Sequence, residues 1–122
     1  MISDSRLAEV GNDSINNITL TGQTANISSV ILALTTSGKH RVNAVMACTT
    51  ASGGAANVTL RISYTGDVAV TNQHILTREM TGTGVSTVTY PLYLTSGSIT
   101  FDVTGYSAGT YALRVWVEYG GL

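Results

Sequence analysis

A single cysteine, Cys48, excludes an internal disulfide, so the chain must be held by its core alone. Charge is scarce as well: 11% of residues are Asp, Glu, Lys or Arg, against about a quarter in an average globular protein. Lys39 is the only lysine, the arginines are scattered and the formal net charge is −1. There is therefore no basic stripe to neutralise phosphates, and nucleic acid is not an expected partner. Long apolar runs are missing too. The longest, Val30 to Leu34, is far too short to cross a bilayer, so no membrane partner is expected. Met1 to Gly11 carries Asp4, Arg6 and Glu9 with no apolar run, which is not the pattern of a signal peptide. The expectation is synthesis in a cytosol and a soluble product.

What the chain has is alternation. Every second residue from Tyr111 reads Tyr111, Leu113, Val115, Val117, Tyr119, with Ala112, Arg114, Trp116 and Glu118 between them. This period of two marks a half-buried β-strand. It recurs in Val42, Ala44, Met46, Cys48, then in Val58, Leu60, Ile62, Tyr64, in Val88, Tyr90, Leu92, Leu94, and in Ile99, Phe101, Val103. Earlier strands are expected over 18–21 and 27–35, the second apolar on both parities and so either buried on both faces or covered by a partner. Val68 to Met80 alternates less cleanly and fits an edge strand. Pro91, the only proline, lacks a backbone donor and points to an edge or a bulge. Ser37-Gly38, Ala51-Ser52-Gly53-Gly54, Gly66-Asp67, Thr81-Gly82-Thr83-Gly84 and Gly105 to Gly109 supply turns, the second of them as a hairpin loop. About eight short strands at this spacing predict an all-β, antiparallel, jelly-roll-like β-sandwich. Residues 18–122 form that domain and residues 1–17 an N-terminal arm. Its core should hold Val58, Leu60, Ile62, Ile99, Phe101, Val103, Leu113, Val115 and Val117.

Groups able to do chemistry are few and dispersed. His40 and His74 are the only histidines, lack acidic residues at ligand-like spacing, and read as surface residues rather than metal ligands. Asp102 and Glu118 fall on outward strand positions, which does not make the carboxylate pair of a glycosidase. No serine lies in a nucleophile-elbow pattern. Cys48, in phase with Met46, reads as a small core hydrophobe. Asn12, Asn17, Asn26 and Asn57 open Asn-x-Ser/Thr triplets, which a chain rich in Ser and Thr generates by chance. No catalytic, metal or cofactor site is expected, and the chain is not read as an enzyme. Trp116 carries more information. It shares the outward parity with Arg114 and Glu118, and Trp and Arg are enriched in interface cores. The Trp116 ring is expected either under the second sheet or the N-terminal arm, or in an intersubunit contact; the interface assignment comprises Trp116, Arg114, Glu118 and, on a neighbouring outward parity, Val45. For ligand binding, the aromatic candidates are Tyr106 in its glycine-flanked loop, which equally fits a corner residue packed on the core, and Tyr93 on a strand.

Three stretches carry a resemblance. Gly38-Lys39-His40-Arg41-Val42 opens a strand ending in Thr49-Thr50-Ala51-Ser52-Gly53-Gly54. Asn57 to Thr65 follows, ending in an aromatic and a threonine, and Leu94 to Phe101 with Gly109 to Glu118 complete the set. From Gly38 onward this order resembles a β-sandwich module of small virion proteins of tailed bacteriophages, with a departure at Gly66 where an acidic residue would follow Thr65 directly. The resemblance implies a non-enzymatic virion part, made in the host cytoplasm. Foremost is a capsid decoration (cement) protein, a homo-oligomer with a trimer favoured, bound to other virion proteins such as the major capsid protein. The alternative is a tail-fibre or receptor- or carbohydrate-binding module.

Overall fold

A computed structural model describes residues 17–34 and 36–121. The expected arm lies outside the described residues apart from Asn17, which opens the first strand. Eight strands follow in order: β1 (Asn17–Gln23), β2 (Ile27–Leu32), β3 (Gly38–Thr50), β4 (Asn57–Thr65), β5 (Ala69–Glu79), β6 (Gly84–Leu94), β7 (Ser96–Thr104) and β8 (Thr110–Gly121). They form two four-stranded antiparallel sheets, β1-β8-β3-β6 and β2-β7-β4-β5. Successive strands fall in different sheets except β4 and β5. First pairs with last, second with seventh, third with sixth, which is the jelly-roll order.

The alternation explains the packing. Val42, Ala44, Met46 and Cys48 of β3 and Tyr111, Leu113, Val115 and Val117 of β8 are buried, as are Val58, Leu60 and Ile62 of β4 and Ile99, Phe101 and Val103 of β7. The two inner faces meet as one core, and every core residue expected from the sequence lies in it. Met80, between β5 and β6, closes one end, with its amide donating to Ala56 O at 2.8 Å and its carbonyl accepting from the Ser52 amide at 2.7 Å. Tyr111 reaches across the sandwich to donate its hydroxyl to Ala25 O at 2.6 Å.

Three expectations need correction. β2 is not covered on both faces: it ends at Leu32, pairs only with β7, and leaves Ile31 62% exposed. An apolar run at a sheet edge was indistinguishable in sequence from a buried strand. Ala51 to Gly54 is not a hairpin loop, because β3 and β4 belong to different sheets and the segment arches between them. His40 is buried rather than on the surface, with Nδ1 3.0 Å from Gly38 O and its ring 5.2 Å from that of Tyr119. Pro91 does lie on an edge strand, β6.

Gly66 has a steric reason. A Cβ there would collide with the carbonyl oxygen of Tyr93, since the turn after β4 packs on the end of β6. The close approach is held by the Thr95 amide donating to Thr65 O at 3.0 Å and the Thr95 hydroxyl donating to Gly66 O at 3.1 Å.

Candidate functional site

A sandwich leaves two outer faces, and here they differ in chemistry. The face of β2-β7-β4-β5 carries Thr59, Ser63, Thr100 and Thr104 around Arg61 and Asp102. Those two ions satisfy each other in a bidentate pair, with Nε to Oδ1 at 2.8 Å and a second nitrogen to Oδ2 at 2.7 Å. That hydrogen bond raises the Arg61 pKa above its ordinary value. Among the described residues no Phe, Trp or Tyr ring points outward from this sheet, where the exposed His74 lies opposite Arg61.

The face of β1-β8-β3-β6 is where the outward rings are. Of the six Tyr, one Trp and one Phe, only Trp116 and Tyr93 lie on outward strand positions, both here. Phe101 and Tyr111 are core, and Tyr64 and Tyr90 meet edge-on at 6.4 Å inside one end of the sandwich. Strand register lays the outer face out in rows. Gly121, Lys39 and Tyr93 form the first, past a register shift in β8, then Glu118, Arg41 and Pro91. The next two are Asn17, Trp116, Asn43 and Thr89, then Thr19, Arg114, Val45 and Thr87. A last row is Ala112, Ala47 and Val85.

Polar groups in the middle rows are tied together. Thr89 Oγ1 donates to Asn43 Oδ1 at 2.9 Å, Asn43 Nδ2 donates to Glu118 Oε1 at 3.1 Å, and an Arg41 guanidinium nitrogen lies 3.5 Å from the same oxygen. Asn43 is 7% exposed although it is on an outward position, so this chain of bonds fixes an amide beneath the surface. Arg114 donates to Asn17 Oδ1 at 3.2 Å, and its guanidinium carbon is 4.9 Å from the centre of the Trp116 ring. At the first rows the surface dips into a concavity of about 610 Å³ lined by Lys39, His40, Arg41, Pro91, Leu92, Tyr93 and Gly120. That volume is in the range of small-molecule sites. At ordinary strand spacing Tyr93 and Trp116 are about 16 Å apart across the face.

The four residues assigned to an interface, Trp116, Arg114, Glu118 and Val45, are thus brought together on one face. Tyr93, 41% exposed, joins them at its far end. Tyr106 does not: it is a half-buried corner residue whose hydroxyl donates to Gly109 O at 2.8 Å, with its ring 6.1 Å from that of Tyr111. Sequence reasoning missed Asn43, Arg41, Thr89 and Lys39 as neighbours of Trp116. Their outward parity was visible, but the pairing of β3 with both β8 and β6 was not. Among the described residues no three His, Cys, Asp or Glu side chains are grouped to hold a metal ion.

No protein-family model matches the chain, and no curated protein gives a significant match. Solved structures do share its shape. The C-terminal domain of EclA, a sugar-binding protein, superposes with a TM-score of 0.52 at 15% identity, over 93% of this chain and 84% of that one. The CBM22-1 and GH10 modules of a Clostridium thermocellum xylanase give 0.47 at 14% identity, over 72% of this chain, which spans only 18% of that protein. The CBM36-1 domain of a xylanase from the hindgut metagenome of Trinervitermes trinervoides gives 0.41 at 15% identity, over 88% and 98%. At 15% identity the likeness to the EclA domain is one of fold, a β-sandwich.

Proposed function

We propose that this chain is a non-enzymatic carbohydrate-binding β-sandwich whose binding surface is the outer face of β1-β8-β3-β6. The observation that carries the proposal is the gathering of the two outward rings, Trp116 and Tyr93, on one sheet face with a pre-ordered polar network between them. A sugar ring offers an apolar C–H face and a rim of hydroxyls. An indole supplies area for the first. Amide and carboxylate groups held in place by neighbours supply partners for the second at little ordering cost. The likeness to the C-terminal domain of the sugar-binding protein EclA supports the same reading. The resemblance of β3, β4, β7 and β8 to phage virion modules adds a setting, receptor recognition by a fibre part.

The test is glycan-array binding of the wild type beside Trp116→Ala, with thermal melts to confirm that both are folded. Binding that falls at least tenfold with an unchanged melt is expected. An array on which the wild type binds nothing overturns the proposal.

One observation favours a second reading, a capsid decoration protein that associates with copies of itself. The last row of the same face, Ala112, Ala47 and Val85, is apolar and adjoins Val45, and Val85 is 60% exposed. Burying them in an oligomer, a trimer by analogy, would cover Trp116 as well. Trp116→Ala would then weaken association by about 2 kcal/mol or more, the range of an interface hot spot, which sedimentation measures.

A further inference from the structure

We infer that the ligand of this face is an acidic glycan, with its anionic group seated in the concavity at Lys39, Arg41 and Tyr93; the inference rests on the carbohydrate-binding reading and names its ligand class. The observation is charge segregation. The chain as a whole has a net charge of −1. Yet among the described residues its outer β1-β8-β3-β6 face carries Lys39, Arg41 and Arg114 against one carboxylate, Glu118, an excess of two positive charges. The cations of the opposite sheet are spent differently, Arg61 in its closed pair with Asp102 and Arg78 in a bond to Ser86 Oγ at 3.2 Å. Arg41 is only loosely engaged: its contact with Glu118 is 3.5 Å, and its side chain is 59% exposed.

Position matters as much as sign. Lys39 and Arg41 are outward neighbours on β3, about 7 Å apart at ordinary strand rise. They line a concave part of the face, with Tyr93 on one side and Gly120, which has no side chain, also lining it. A hexuronate carboxylate or a sugar sulfate there would meet a guanidinium fork and an ammonium while its ring leans on Tyr93. The rest of the glycan would run toward Trp116. A second copy of the chain fits this end poorly, because two such faces laid together would set like charges against each other.

Titration calorimetry with four probes tests this: oligogalacturonate and its carboxyl-reduced neutral form, and carrageenan oligosaccharides and their desulfated form. The acidic member of at least one pair should bind at least tenfold tighter than its neutral counterpart. The acidic group responsible, carboxylate or sulfate, is read from which pair shows the difference. The preference should shrink when salt is raised from about 0.1 M to about 1 M, as screening shortens from about 10 Å to about 3 Å. The double variant K39A/R41A should bind the acidic and neutral forms equally, and Trp116→Ala should weaken both. Equal binding of acidic and neutral forms overturns the acidic assignment and leaves the carbohydrate reading standing. Binding of none of the four, with none on the wider array, overturns both. An oligomer in sedimentation that dissociates on Trp116→Ala identifies a second copy as the occupant and overturns the inference.

Discussion

Replacing Phe101 by alanine tests the core register directly. Phe101 is on β7, paired with Val30 of β2 on one side and Ile62 of β4 on the other, and its ring points into the sandwich at 1% exposure. It is the only phenylalanine and among the largest fully buried side chains. Truncation removes apolar area and leaves a void that two hydrogen-bonded sheets cannot collapse to fill, a combination worth about 3–5 kcal/mol. A domain of this size has a total margin of about 5–15 kcal/mol. Near 4 °C per kcal/mol, the melting temperature should fall by about 12–20 °C. Urea unfolding followed by Trp116 fluorescence gives the free energy. The denaturant slope should stay constant, because the surface exposed on unfolding hardly changes. Since Phe101 lies in one sheet and the candidate binding face is the outside of the other, folded protein should keep its ligand affinity. A fall in melting temperature under about 3 °C would mean that the ring is not in the core and that the register of β7 is misassigned.

Gly66→Ala should cost about 1–3 kcal/mol through the clash with the Tyr93 carbonyl, whereas Gly54→Ala, where a Cβ meets nothing, serves as the near-neutral control. Burial pushes Tyr64 and Tyr111 up to about 12, aided by the Tyr90 hydroxyl in the first case and by Tyr106 in the second. Their hydroxyls stay protonated in the folded chain while unfolded tyrosines ionise near 10. Their share of stability is therefore complete below about pH 10 and lost as pH rises toward 12. Titration at the tyrosinate absorption band should show these two ionising together with alkaline unfolding, and early ionisation of all the tyrosines would refute the burial argument. Asn43→Ala should lower stability by about 1 kcal/mol by leaving Glu118 and Thr89 without their shared partner, seen as a small shift in the urea midpoint.

Where one face is core and the other solvent, a period of two announces itself, and β3, β4 and β8 were legible to within a residue or two for that reason, whereas β7 starts at Ser96, ahead of the alternation from Ile99. The jelly-roll class followed from their number and spacing. What parity cannot encode is which strand lies beside which. Ile31 and Ala51 to Gly54 were misjudged on that account, one at an edge taken for an interior and the other an arch taken for a hairpin. His40 was misread because a polar side chain in phase with Val42 was weighed as a polar residue rather than as a position. The candidate site was half visible. Trp116, Arg114 and Glu118 share one strand and so one parity. Asn43, Arg41, Lys39 and Tyr93 join them only through pairings between segments far apart in sequence.

The strand order also has a consequence for biosynthesis. β8 lies between β1 and β3 in its sheet, with Asn17 opposite Trp116, so β1 has no partner until almost the whole domain has been made. β2 likewise waits for β7. Only β4 and β5 can pair as soon as they emerge, as the single local hairpin in the topology. Closing loops this long before any reward from packing is a slow step. The nascent chain would leave the ribosome as one hairpin trailing unpaired apolar strands, and would depend on chaperone cover or rapid release until the last strand closes the fold.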